Sequence, residues 1–188
     1  MEFKNEIGLI QRRMASSIAG TSRRLEILNA LNIQSGQHVL DIGCGGGHLL
    51  EEIAKAVGPE GKAYGLDTSE DQLKQARKRC SSYENVLTIK GYANQVDLEN
   101  QSCDAICSVQ TFEYIENIDG SIKELTRLLK PSSIFVNISI LWEYYKFFGA
   151  DEELNKTIHD TFKAHCFHQM LPTTLEGRLK KFGFHNIK

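Results

Sequence analysis

Short apolar runs and amphipathic segments alternate along most of this chain, and that alternation restricts the fold more than any other feature. "HVLDIG" (38–43) reads as a buried strand, after which Leu49, Leu50, Ile53, Ala54 and Val57 recur with helical spacing until "GPEG" (58–61) stops them. "AYGLD" (63–67) is a second strand, followed by the helix "SEDQLKQARKRC" (69–80), which a capping-box pattern from Ser69 to Gln72 opens. "NVLTIKG" (85–91), "DAICSVQ" (104–110) and "SIFVNIS" (133–139) give the third, fourth and fifth strands. Between the last two, a helix over 121–130 packs through Ile122, Leu125, Leu128 and Leu129 and is ended by Pro131. Upstream, "RRLEILNAL" (23–31) reads as a helix with Leu25, Leu28 and Leu31 on one side. Downstream, a helix over 173–182 with a Thr-x-x-Glu cap leads into "FHNIK" (184–188), a sixth strand. Strands that read as nearly continuous apolar runs are covered on both faces. The expected architecture is a doubly wound α/β domain: a mostly parallel sheet, helices on both faces and right-handed crossovers.

The 188 residues suit one domain, with an N-terminal helical segment (1–32), a core (33–139), an added segment (140–171) and a last helix and strand (172–188). A formal net charge of −2 provides no general basic field for nucleic acid or anionic membrane, and "RKR" (77–79) falls on the solvated face of a helix. No run approaches the roughly 20 apolar residues of a membrane span, and "MEFKNEIGLIQRR" lacks the apolar middle of a signal peptide. Five cysteines form no CxxC pair, and Cys103 and Cys107 fall on one face of the fourth strand without making a metal site. Reduced thiols in a cytoplasmic protein fit this usage.

Four glycines within Gly43–Gly47, directly after the first strand, need a reason, because glycine normally weakens ordered structure. The reason is a ligand that comes closer to the backbone than a β-carbon permits. A dinucleotide site wants GxGxxG; here the third position is His48, and the actual spacing is Gly43-x-Gly45-x-Gly47 with Asp41 before it. No Lys-Ser or Lys-Thr follows, which excludes a P-loop. A carboxylate before the turn suits a ligand carrying an ammonium group better than one carrying two phosphates.

"VLDIGCGGGHLL" resembles motif I of the class I S-adenosylmethionine-dependent methyltransferases, proteins of Rossmann type. "VGPEGKAYGLDTSEDQLKQAR" is similar to that family's second strand and its terminal acid, and "DAICSVQTFEYIENIDGSIKELTRLLKPSS" to its fourth strand, next helix and approach to the fifth. The resemblance runs from about Ile33 to Pro131. It implies S-adenosylmethionine as cofactor, S-adenosylhomocysteine as product, and in-line methyl transfer to a small-molecule acceptor. It implies that Gly43, Cys44, Gly45 and Gly47 approach the amino acid end and ribose, with Cys44 a space-filling residue and not a nucleophile. Asp41 accepts from the ammonium, Asp67 takes the ribose hydroxyls, and Thr68 and Gln72 border the adenine. Ser108 and Gln110, ending the fourth strand, complete the implied cofactor contacts.

Three departures qualify the match. Tyr92 stands where relatives carry an acid for the adenine amino group, leaving Asn94 as acceptor and the Ala93 backbone against the ring. "SVQTFEYI" (108–115) carries no PPY-type segment of the kind used on nucleobase amines, which lowers nucleic acid as substrate. The C-terminal hairpin of the family is incomplete at Lys188, so an open sheet edge is expected to lower stability or to pair two copies as a homodimer. The added segment "ILWEYYKFFGADEELNKTIHDTFKAHCFHQMLP" supplies Trp142, Tyr144, Tyr145, Phe147 and Phe148 for a lid or pocket wall, or for a helix packed on the sheet. His159, His165, Cys166 and His168 lack a metal-ligand spacing. Glu113, Tyr114 and His168 are the base candidates if the acceptor needs one. A second reading, from Tyr92 and the early chain end, is a cofactor-binding partner subunit without catalysis.

Overall fold

The structure, a computed structural model, describes residues 13–146 and 148–188. Five strands, β1 (His38–Ile42), β2 (Lys62–Asp67), β3 (Val86–Lys90), β4 (Cys103–Val109) and β5 (Leu129–Ile138), form one sheet in the order β3-β2-β1-β4-β5. Every neighbouring pair is parallel. The chain winds outward from β1 to β3, then returns to the other side of β1 as β4, so strand order reverses between β1 and β4. There Asp41 lies beside Cys107 and Ile42 beside Ser108. Such a reversal opens a crevice at the carboxyl ends of the two strands, because their connections leave in opposite directions.

Helices α1 (Ile18–Leu31), α2 (His48–Val57) and α3 (Glu70–Arg79) cover one face, and α4 (Ile118–Leu128) and α6 (Leu171–Lys181) the other; α5 (Glu152–Lys163) lies in the added segment. The period-2 alternation of β1 sorts its side chains: Val39 joins the α1–α3 layer, and Leu40 and Ile42 join the α4–α6 layer. Asp41, in phase with Val39, therefore belongs to the α1–α2 side. Leu50 and Ile53 of α2 are fully buried, worth about 1.5–3 kcal/mol each against exposure. The doubly wound α/β reading holds.

Several local expectations change. The buried face of α1 is Gly20, Ile27 and Leu31, whereas Leu25 is 54% exposed. Helix α4 ends at Leu128, not Lys130, and Pro131 falls inside β5. β5 is an edge strand, where a residue without an N–H is tolerated, and the register slips there: Cys103 pairs Leu129 but Ala105 pairs Ile134. The same irregularity breaks the alternation of β4. Cys103 packs in the α4–α6 layer and Cys107 in the α1–α3 layer, not on one face. Thr173 caps nothing; its hydroxyl donates to the Met170 carbonyl, and Pro172 opens α6. Residues 184–188 form no strand: the chain turns at Gly183 (φ 88°) and lays Phe184 against Phe135 of β5, ring centroids 6.3 Å apart. Phe147 and residues 1–12 lie outside the described residues.

Candidate functional site

The turn after β1 is built by a backbone that bends three times into the left-handed region, at Gly43 (φ 76°), Gly45 (φ 51°) and Gly47 (φ 79°). The Gly43 and Cys44 amides both donate to the Leu66 carbonyl of β2, at 2.8 and 3.0 Å, which clamps the turn to the neighbouring strand. The glycines differ in purpose. A β-carbon on Gly47 would stand 2.8 Å from the Ala76 Cα of α3, so Gly47 serves close helix packing. On Gly43 it would strike the Thr111 side chain. Gly43, Cys44, Gly45 and Gly46 line a cavity of about 150 Å³, together with Asp41, Val109, Gln110 and Thr111; Gly47 does not.

The two carboxylates hold different positions. Asp41 is 2% exposed; burial first, and the neighbouring Asp67 second, push its carboxyl up to about 7, while the Cys107 thiol that donates to it opposes this. Keeping such an acid ionised without a counter-charge costs on the order of 4 kcal/mol, a cost that a cationic ligand removes. Asp67, at the end of β2, accepts from the Gly45 amide on Oδ2 at 2.9 Å and from the Ser69 amide on Oδ1 at 2.8 Å. The Thr68 amide also acts on this carboxylate, which offers about four lone-pair sites in all, so the group that fixes the turn still keeps acceptor capacity. Burial raises it, and the amides of Ser69 and Gly45 oppose that.

Thr68 is exposed beside Asp67, whereas Gln72 is fully buried, its amide capped by the Ser69 hydroxyl. Tyr92 is 72% exposed and Asn94 exposed, in a turn that leaves Ala93 buried in the core. Ser108 is completely buried, and its hydroxyl has no hydrogen-bond partner among the described residues; neither has Asn137 Oδ1, its register neighbour on β5. Orphaned polar atoms at the carboxyl ends of two strands mark a place where a ligand or water is expected. Gln110 takes a left-handed backbone (φ 49°), held by its amide on the Ile138 carbonyl at 2.7 Å.

Sequence reasoning missed the roof of this site. Met14, Ala15, Gly20, Arg23 and Arg24 close the cavity from above, so α1 is part of the site and not merely a layer of the core. Arg79, grouped with a solvated run, donates to the Gly46 carbonyl at 3.1 Å and buttresses the turn. The base candidates lie elsewhere. Glu113 is fully buried, raised by burial, and accepts from the Ser139 hydroxyl at 3.0 Å; its carbonyl accepts from the His168 amide. The ring of His168 donates through Nε2 to the Ile115 carbonyl at 3.0 Å, and burial raises the Tyr114 phenol. These contacts tie the added segment to the loop after β4. Trp142 is buried there, near Tyr114 and Tyr145, whereas Tyr144 and Phe148 face outward. Cys166 donates to the Glu113 carbonyl and His159 bonds the Tyr145 carbonyl. A groove of about 640 Å³ between residues 143–150 and α5 is lined by both signs of charge, including Lys146, Glu152, Lys163 and His159.

Comparison with known proteins gives this geometry its class. Residues 33–186 match the model of a methyltransferase domain, so the chain belongs to the methyltransferase-domain family, whose Rossmann-type members use S-adenosylmethionine. Among curated relatives, demethylmenaquinone methyltransferase of Staphylococcus epidermidis is 26% identical over 87% of this chain and 74% of its own length. The enzyme of the same name from Geobacillus stearothermophilus is 34% identical over 60% of this chain and 49% of its own. The chain spans about half the length of several curated relatives it matches. A solved S-adenosylmethionine-dependent methyltransferase from Aquifex aeolicus has the same fold, with a TM-score of 0.67, 22% identity, and coverage of 86% of this chain and 79% of that one. No helix among the described residues is long and apolar enough to cross a membrane.

Proposed function

We propose that this chain catalyses transfer of the methyl group of S-adenosylmethionine to a small-molecule acceptor. The observation that carries the reading is the uncompensated, buried Asp41 beside a side-chain-free turn in the crevice between β1 and β4. The residues present fit the cofactor: a buried acid for its ammonium, a second acid with spare acceptor positions for its ribose, and orphaned polar atoms at the strand ends. When bound, the cofactor supplies a methyl group activated by a sulfonium.

Asp41 would hold the ammonium and Asp67 the ribose hydroxyls, while the Asp67–Gly45 bond keeps turn and acid in one geometry. Thr68, Gln72 and the Tyr92–Asn94 turn would border the adenine; because Gln72 is buried, it shapes that border from beneath. The main contribution of the chain to rate is alignment and exclusion of water, for which effective molarity supplies on the order of 7–11 kcal/mol. Glu113, buried under the added segment, acts as an anchor for Ser139 and Trp142 and not as a base. The demethylmenaquinone relatives support a small-molecule acceptor, and the net charge of −2 supports neither nucleic acid nor an anionic surface as partner. Five buried free thiols support a reducing, cytoplasmic setting, and the open edge of β5 supports pairing of two copies.

Calorimetric titration with S-adenosylhomocysteine, followed by methyl transfer from labelled cofactor to a panel of small acceptors, tests the reading. Binding with transfer is expected. Absence of binding ends it, and binding without transfer to any acceptor moves the chain to the non-catalytic alternative.

A further inference from the structure

The cavity beneath α1 carries two opposite charges that do not meet. Asp41 bonds the Cys107 thiol, and Arg23, from α1, bonds the Gln110 side-chain carbonyl at the end of β4. The other basic groups of the lining are committed or neutral. Arg24 is tied to Glu52 at 3.0 Å, to the Ala15 carbonyl and to the Thr21 hydroxyl at 3.2 Å. His48 is held down to about 4, by burial first and then by Arg79 and Arg24. Arg23 is thus the one lining cation whose single bond, among the described residues, goes to a neutral partner.

We propose that Arg23 is the clamp for the carboxylate of the cofactor's amino acid end, and that its bond to Gln110 is the closed arrangement exchanged when the cofactor enters. The inference rests on the cofactor reading above and adds a residue and a selectivity to it. An amino acid end is a zwitterion, so a cavity that neutralises only its ammonium would bury an unpaired carboxylate. At about 150 Å³ the cavity is smaller than the roughly 300–1,000 Å³ of pockets that enclose whole ligands, and suits that end alone. The N-terminus of α2 opens into the same cavity through Gly46 and His48, adding a partial positive charge of the required sign. A guanidinium gains by exchanging an amide oxygen for a carboxylate, which it can bind with two parallel bonds. Gln110 presents its side chain to Arg23 from a left-handed backbone pinned to β5, a strained conformation of the kind found at ligand clamps.

The test titrates the full chain, Arg23→Gln and Gln110→Glu with S-adenosylmethionine and with its decarboxylated analogue, which keeps the ammonium and the sulfonium. The unmodified chain is expected to bind S-adenosylmethionine at least about tenfold more tightly than the analogue, as a charged hydrogen bond implies. Arg23→Gln should lose about 10–100-fold for S-adenosylmethionine and less than about threefold for the analogue. Gln110→Glu, which holds Arg23 and repels a carboxylate, should weaken S-adenosylmethionine selectively too, and it decides the matter should Arg23→Gln not fold. Equal losses for both ligands, or none, would overturn the clamp while leaving the cofactor reading intact. A chain that binds neither ligand overturns both.

Discussion

The turn from Asp41 to His48 and the segment from Ser139 to Leu171 both lie at the carboxyl ends of the sheet, yet they are built by opposite rules. In the turn, amides bond fixed acceptors, glycines occupy left-handed positions, and an acid is buried without a counter-charge. In the later segment Tyr144 and Phe148 point to solvent, the groove mixes both charges, and the contact with a buried acid is an anchor: Ser139 and His168 bond Glu113 of the loop after β4. The first region has the fixed geometry that the proposed cofactor would require. The second is anchored at one end and open in composition, as a surface that adapts to an acceptor would be.

The largest test of that contrast is steric. Gly47→Val places a branched side chain at φ 79° and within 2.8 Å of the Ala76 backbone, so urea unfolding should show a loss of about 3–4 kcal/mol. Next is Asp67→Ala, which removes the acceptor of the Gly45 amide in the turn and of the Ser69 amide before α3, together with the proposed ribose acceptors. Calorimetry should show cofactor binding weakened by more than about 100-fold.

The third test is pH. The Asp41 carboxyl is raised from 3.8 to about 7 in the folded chain, so folding takes up a proton between those values and the empty protein loses stability as pH rises through that window. On the proposed reading, cofactor binding requires the ionised form. Its affinity should therefore rise up to about tenfold per pH unit below 7 and level off above, and Asp41→Asn should bind weakly with a flat profile. The smallest effect belongs to the other region: Tyr144→Ala and Phe148→Ala, at exposed positions, should change unfolding free energy by less than about 0.5 kcal/mol and leave the cofactor dissociation constant unaltered. A large effect on cofactor binding there would erase the contrast between the two regions.

Legibility in the sequence follows the same division. The strands β1–β4 and the helices α2 and α3 were readable because burial on both faces and a 3.6-residue period leave direct marks. The glycine turn was readable because few backbones need three left-handed residues in five. Arg23 was not, since a surface arginine on an amphipathic helix looks like any other until α1 folds over the cavity. Cys103 was misplaced because the slip between β4 and β5, across the stretch of β5 that holds Pro131, is a property of the strand pair and not of β4 alone. The expected last strand is replaced by a turn at Gly183 that lays Phe184 on Phe135, a contact made across the fold and so outside what the short run itself shows.

The most direct test of the central claim is a crystal structure of the chain with S-adenosylhomocysteine. The account predicts the amino acid end beneath α1 against Asp41, and the ribose hydroxyls on the free lone pairs of Asp67. A nucleoside bound in the groove beside α5, or in the crevice with both acids turned away, would contradict it.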